Sequence, residues 1–197
     1  MDLPDLQHSR ETALLQAAFR DLHGPRLHGF ALVVTLGNRA LAARVAARAL
    51  AEGARHADQL RHPERAAAWL RSRVLRMLPR DPGRLTLASE PERRAALAAL
   101  GASEAAFDAL AALRTEARAA LAAAVIEGLQ DRDVEVIVGR RGAALRAMLV
   151  EARTTYLEIA AGSTASWPTG AAAAPGSIAA RVAETASRTL GDGLGTS

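Results

Sequence analysis

The 197-residue chain contains no cysteine and no lysine. Without cysteine, disulfides, thiolate nucleophiles, Cys–zinc sites and iron–sulfur clusters are excluded. Without lysine there is no P-loop lysine, no Schiff-base amine and no lysine general base. Aromatic residues are few: Phe19, Phe30, Trp69, Phe107, Tyr156 and Trp167. With β-branched residues also scarce, a strand-rich fold is disfavoured. No apolar run reaches the length of a membrane span. The first ten residues are polar and carry Asp2 and Asp5, so they lack the basic and apolar regions of a signal peptide. The expectation is a soluble, cytoplasmic protein with no membrane partner.

Half of the residues are apolar and roughly a quarter are alanine, the best helix former. An all-α fold follows. The 25 basic residues are all arginine, and the net charge is +4. The surplus is uneven: Arg10 to Arg80 carries a net charge of +8, and the rest of the chain is close to neutral. Such asymmetry points to an anionic partner for the first third. An arginine-rich solvated surface, of the kind a high-GC genome encodes, is the alternative.

Punctuation by Gly, Pro and Asn divides the chain. Ser9 caps a helix toward Leu22, Gly24 stops it, and Pro25 opens the next. That second helix carries Leu27, Phe30, Ala31 and Val34, and Gly37-Asn38 breaks it. Asn38 caps a third helix reaching about Leu60. Pro63 opens a fourth, with Leu70, Val74, Met77 and Leu78 as its apolar stripe. These four helices, residues 8–80, form a first domain. Residues 81–103 read as a linker, with weak helices over Glu92 to Leu100 and Ser103 to Leu113. A second domain, 104–160, holds helices over Thr115 to Glu127, Asp131 to Val138 and Gly142 to Ala160. Residues 161–197 are rich in Ala, Gly, Ser, Thr and Pro and read as a flexible tail, with a marginal helix over Ser177 to Leu190.

The second domain has a helix-turn-helix layout: a short apolar helix with Val134 and Ile137, a turn at Gly139, then a helix carrying Leu145, Leu149 and an arginine-bearing outer face. Leu113, Arg118, Leu121, Glu127, Gly128, Leu129, Val134, Ile137, Gly139, Ala144, Leu145, Arg146, Leu149, Ala152 and Arg153 follow, without a gap, the pattern of one family. The chain resembles the bacterial sigma factors of the extracytoplasmic-function type, in the sigma-70 family. Pro25-Arg26-Leu27, Phe30-Ala31-Leu32, Pro63-Glu64 and Ala68-Trp69-Leu70 resemble motifs of that family's first domain. The resemblance covers residues 10–160. It implies a first domain that binds core RNA polymerase and melts the promoter −10 element. It implies a second domain that reads the −35 element. Core RNA polymerase, promoter DNA and an anti-sigma factor are the partners it brings into view, with no cofactor and no enzymatic activity.

The departures from the pattern fall on contact positions. The acidic, aromatic stretch that docks on polymerase is replaced here by Ala42 to Ala54, with Arg44, Val45 and Arg48 at the docking position. Like-charge juxtaposition at a docking surface costs several kcal/mol. Arg73, Arg76 and Arg80 make a basic stripe suited to phosphates, and Trp69 reads as core. Arg140, Arg141, Arg146 and Arg153 are the expected DNA contacts of the second domain, joined by Arg73 and Arg76 from the first. Asp131, Asp133 and Glu135 weaken the attraction for DNA, and a buried Glu135 would leave its helix rotated or loose. Two readings stay open: a sigma factor with altered contacts, or a sigma-like regulator that keeps the helices and binds another partner. A polyanion-binding or partner-helix role is a third.

No catalytic constellation is present. His8, His23, His28, His56 and His62 lack metal-ligand spacing and read as surface or helix-end residues. No serine sits in a nucleophile-elbow motif.

Overall fold

The computed structural model describes residues 3–57, 59–60, 62–79 and 88–164, and side chains from 12 to 162 within them. Eight α-helices occur among the described residues, with no strand. They are α1 (Leu3–Val34), α2 (Arg39–Ala54), α3 (Pro63–Met77), α4 (Glu90–Ala98), α5 (Glu104–Ala112), α6 (Thr115–Leu121), α7 (Asp131–Val138) and α8 (Gly142–Thr164). A π-helical turn, Ala122–Ile126, extends α6. The all-α class is as expected.

The expected break at Gly24-Pro25 is absent, and one helix of 32 residues runs through Pro25. An interior proline costs about 3 kcal/mol or more. The opposing term is burial. Phe19, His23, Leu27, Phe30 and Val34 recur at helical spacing across the Gly-Pro pair, and all five are buried. A broken helix would split that stripe. Burying one Leu or Phe side chain contributes about 1.5–3 kcal/mol, so keeping two such residues in register outweighs the proline. Residues 3–77 therefore hold three helices, not four.

Asn38 caps α2 as expected, its Oδ1 accepting from the Leu41 N–H at 3.0 Å. The helix ends at Ala54, short of Leu60. Its inward face is small (Ala42, Ala46, Ala49 and Gly53), so α1 and α3 approach closely. A Cβ on Gly53 would lie 2.8 Å from Leu70 and 3.0 Å from Phe19. Pro63 stands at the start of α3 as expected.

The span 81–103 is not a bare linker. It contains α4, whose Arg93, Ala96 and Leu97 are buried. The Glu92 carboxylate accepts from the Ser89 N–H at 3.2 Å, holding the start of that helix. At the other end of the chain, α8 continues past Ala160 to Thr164. The rest of the proposed tail, with its helix over Ser177 to Leu190, lies outside the described residues.

The two segments expected as separate domains are packed together. Helix α3 lies against α7, and α1 touches α6 and the π-turn. Buried residues from Phe19 to Tyr156 join in one apolar cluster.

Candidate functional site

The segment expected as a helix-turn-helix consists of α7, a three-residue turn and α8, with α7 packed chiefly on α3 and α8 on α5 and α6. Helix α7 points Val134 and Ile137 inward and leaves Asp131, Arg132 and Val136 in solvent. Gly139 ends it with φ 69°, the left-handed conformation that closes helices and that glycine enters without strain. Helix α8 seats Leu145, Leu149, Ala152 and Tyr156 on α5 and α6. Its outer face presents Arg146, Ala147, Val150 and Thr154.

Glu135 is not the buried, unpaired carboxylate expected. It is half-exposed, and its Oε1 accepts from the Gly142 N–H at 2.7 Å. The carboxylate caps the start of α8, where negative charge is favoured. Helix α7 is neither rotated nor loosened by it.

Arg140, Arg141 and Arg146 are exposed and share the N-terminal end of α8. Arg140 approaches Glu116 at 3.3 Å, a solvent-exposed pair of little energetic weight. Arg153 stands two turns further along, half-buried, with its Nε enclosed and without an acceptor. It does not share the open face of the other three.

The arginines of the first segment differ from one another. Arg73 pairs with Glu52 and stacks over Trp69 at 5.0 Å, so its charge is engaged within the fold. Trp69 is half-buried against the core. Arg76 is exposed and donates to Ser72 Oγ at 3.0 Å. Arg80 lies outside the described residues. Arg44 and Arg48 project into solvent from α2, and no carboxylate pairs with them among the described residues. Val45, grouped with them, is buried at 3 % exposure, so it holds α2 to the core and is not available for docking.

A second feature was not anticipated. A half-open cleft of about 660 Å³ lies between α1, α3 and the π-turn. Leu22, His23, Arg26, Phe30, Arg71 and Glu127 line it. Arg71 and Glu127 form a bidentate ion pair there, Nε to Oε2 and NH2 to Oε1, the latter at 2.8 Å. Arg71 also donates to the Ala67 carbonyl at 2.9 Å and lies over Phe30 at 5.6 Å. Their side chains are 4 % and 16 % exposed. The pair ties the first segment to the second. The sequence held a signal for it: Arg71 falls on the inward stripe of α3, between Leu70 and Val74.

His23, expected at a surface or helix end, is enclosed. It is buried in the middle of α1, its ring 4.6 Å from Phe19. Burial, and then the nearby Arg71 charge, hold its pKa below the usual imidazole value. The unfolded chain therefore takes up a proton that the folded chain resists. Stability is expected to fall as the pH drops below about 6.5, the unperturbed histidine value. His23→Gln should flatten that limb of a urea-midpoint-against-pH curve. An unchanged acid limb would mean that His23 does not carry it.

Among the described residues, no group of three His, Asp or Glu side chains could hold a metal ion. No described helix is long and apolar enough to cross a membrane. The described residues define an all-helical protein. Comparison with known protein families, with curated proteins and with solved structures finds no match.

Proposed function

We propose that this chain is a sigma-factor-like DNA-binding protein that directs core RNA polymerase to promoters in the bacterial cytoplasm. The observation that carries the reading is the cluster of Arg140, Arg141 and Arg146, exposed together where the turn enters α8. A helix-turn-helix places the N-terminal residues of its second helix against base edges in the major groove. Arginine there can bond guanine bidentately or hold phosphates. Arg76, also exposed, is a candidate phosphate contact from the first segment. Promoter DNA and polymerase are the partners of this reading, and an anti-sigma factor is a further one. No enzymatic step and no cofactor enters it.

The test is duplex binding by fluorescence anisotropy across a salt series. Arg141→Ala combined with Arg146→Ala should weaken binding at every sequence tested. Each lost phosphate contact lowers the salt slope by about 0.9, so the double variant should lose roughly 1.8. Unchanged affinity and slope would sink the assignment of α8.

A second reading has its own support. Arg44 and Arg48 put positive charge on the outer face of α2, and the first segment is packed on α7 rather than standing apart. Under that reading the chain is a sigma-like regulator whose partner is not polymerase. Co-elution with core RNA polymerase at low and moderate salt separates the two. Retention at both salts supports initiation, and loss at both supports the regulator.

A further inference from the structure

Two enclosed cations lie away from both the cleft and the outer face of α8. Arg93, on α4, is 8 % exposed, and Arg118, on α6, is 2 % exposed. Buried charges are ordinarily neutralised, because an enclosed unpaired ion is costly. The buried Arg71 meets Glu127, and even the half-exposed Arg94 meets Glu90, Glu104 and Asp108. Arg93 and Arg118 do not follow this rule: among the described residues no carboxylate pairs with either. Arg118 has only neutral acceptors, the Leu110 carbonyl at 2.9 Å and Thr115 Oγ1 at 3.4 Å. Arg93 lies over the ring of Phe107 at 5.5 Å. The Nε of each is buried without an acceptor. Burial, and then the charge of Arg93, push the Arg118 guanidinium down to about 10.

We propose that Arg93 and Arg118 form a binding site for a small oxyanion of the phosphate class, at the junction of α4, α5 and α6. Two guanidinium groups with donors to spare match a tetrahedral anion of more than one charge, which can accept from both. A duplex backbone cannot reach groups this enclosed, so the ligand is a free ion or a terminal phosphate group. Its charge would supply the neutralisation that the protein leaves out. An anion there would lock α4 and α6 onto α5, the helix on which α8 is seated.

The experiment is thermal unfolding of the full chain in inorganic phosphate and, separately, in a nucleoside monophosphate, against chloride of equal ionic strength. A ligand that binds only the folded state raises the midpoint with its concentration. Phosphate is expected to raise it and chloride is not. A rise with the nucleotide alone would assign the site to a terminal phosphate group. Arg93→Met keeps an apolar contact with Phe107 and removes one charge. It is expected to fold with an unchanged or higher midpoint in chloride, and to bind at least tenfold more weakly. Arg20→Met, at an exposed arginine of α1 outside the proposed sites, should respond as the unaltered chain does. Broadening of the inorganic phosphate ³¹P line reads binding directly, should a variant unfold. Equal midpoint rises for Arg93→Met and the unaltered chain would overturn the site, as would neither phosphate nor the nucleotide acting better than chloride.

Discussion

Gly37→Ala is expected to destabilise the protein by at least about 3 kcal/mol, among the largest effects of a single methyl group. Gly37 follows the C-terminal end of α1, where its N–H donates to the Leu32 carbonyl at 2.8 Å. Its φ is 77°, a region that L side chains enter at a cost of roughly 1–2 kcal/mol. The preceding Leu36 is already left-handed, at φ 51°. A Cβ on Gly37 would stand 2.1 Å from the Arg93 carbonyl oxygen and 2.9 Å from the Arg93 Cα. Those are backbone atoms of α4, and they cannot swing aside as a side-chain end can. The turn must distort or α4 must lift away. Gly139→Ala is the control. It has a similar φ of 69° but nothing within 4 Å of its Cβ, so only the conformational cost remains. Urea unfolding of both variants should give a Gly37 loss exceeding the Gly139 loss by about 2 kcal/mol or more. Equal losses would show that α4 is not seated on the turn.

Glu127→Gln is the second large effect. It leaves Arg71 enclosed without a counter-charge. Removing one partner of a buried pair costs about 3–5 kcal/mol. For a chain of this size that is a fall in melting temperature of roughly 10 °C. Arg71→Met with Glu127→Leu removes both charges and should recover most of the loss, because an apolar pair needs no desolvation of ions. A Glu127→Gln loss below about 1 kcal/mol would mean that solvent already screens the pair. The cycle also tests whether the two segments unfold together. One cooperative transition in every variant is expected from a shared core.

Local chemistry made several elements legible in advance. Asn38 caps α2, Pro63 opens α3, and α7 spans Asp131–Val138 before the left-handed Gly139. Each rests on one or two residues whose backbone preference nothing distant opposes. The expected break at Gly24-Pro25 is absent for the opposite reason. A propensity of about 3 kcal/mol met a longer-range term, the stripe from Phe19 to Val34 packed on α2 and α3. That stripe was present in the sequence at helical spacing. Its weight became evident only against its partners.

The candidate surfaces divide in the same way. Arg140, Arg141 and Arg146 are exposed because they sit in and just after a turn, which local sequence places. Val45 and Arg153 stand near exposed arginines in sequence, but the helical period turns Val45 into the core and half-buries Arg153. No local signal marks His23 and Arg71 as neighbours, since 48 positions of chain separate them.

What the amino-acid sequence determined alone was the helical class, most caps and turns, and the arginine cluster at the start of α8. These follow from backbone preference and residue type over a few positions. What the tertiary structure decided was the continuity of α1 through Pro25, the packing of α3 on α7, and which arginines are enclosed. Arg71 meets Glu127, while Arg93 and Arg118 meet no carboxylate among the described residues. A charge carries the same sign at every place in the chain. Its consequence depends on the dielectric and on the partners that folding assembles around it.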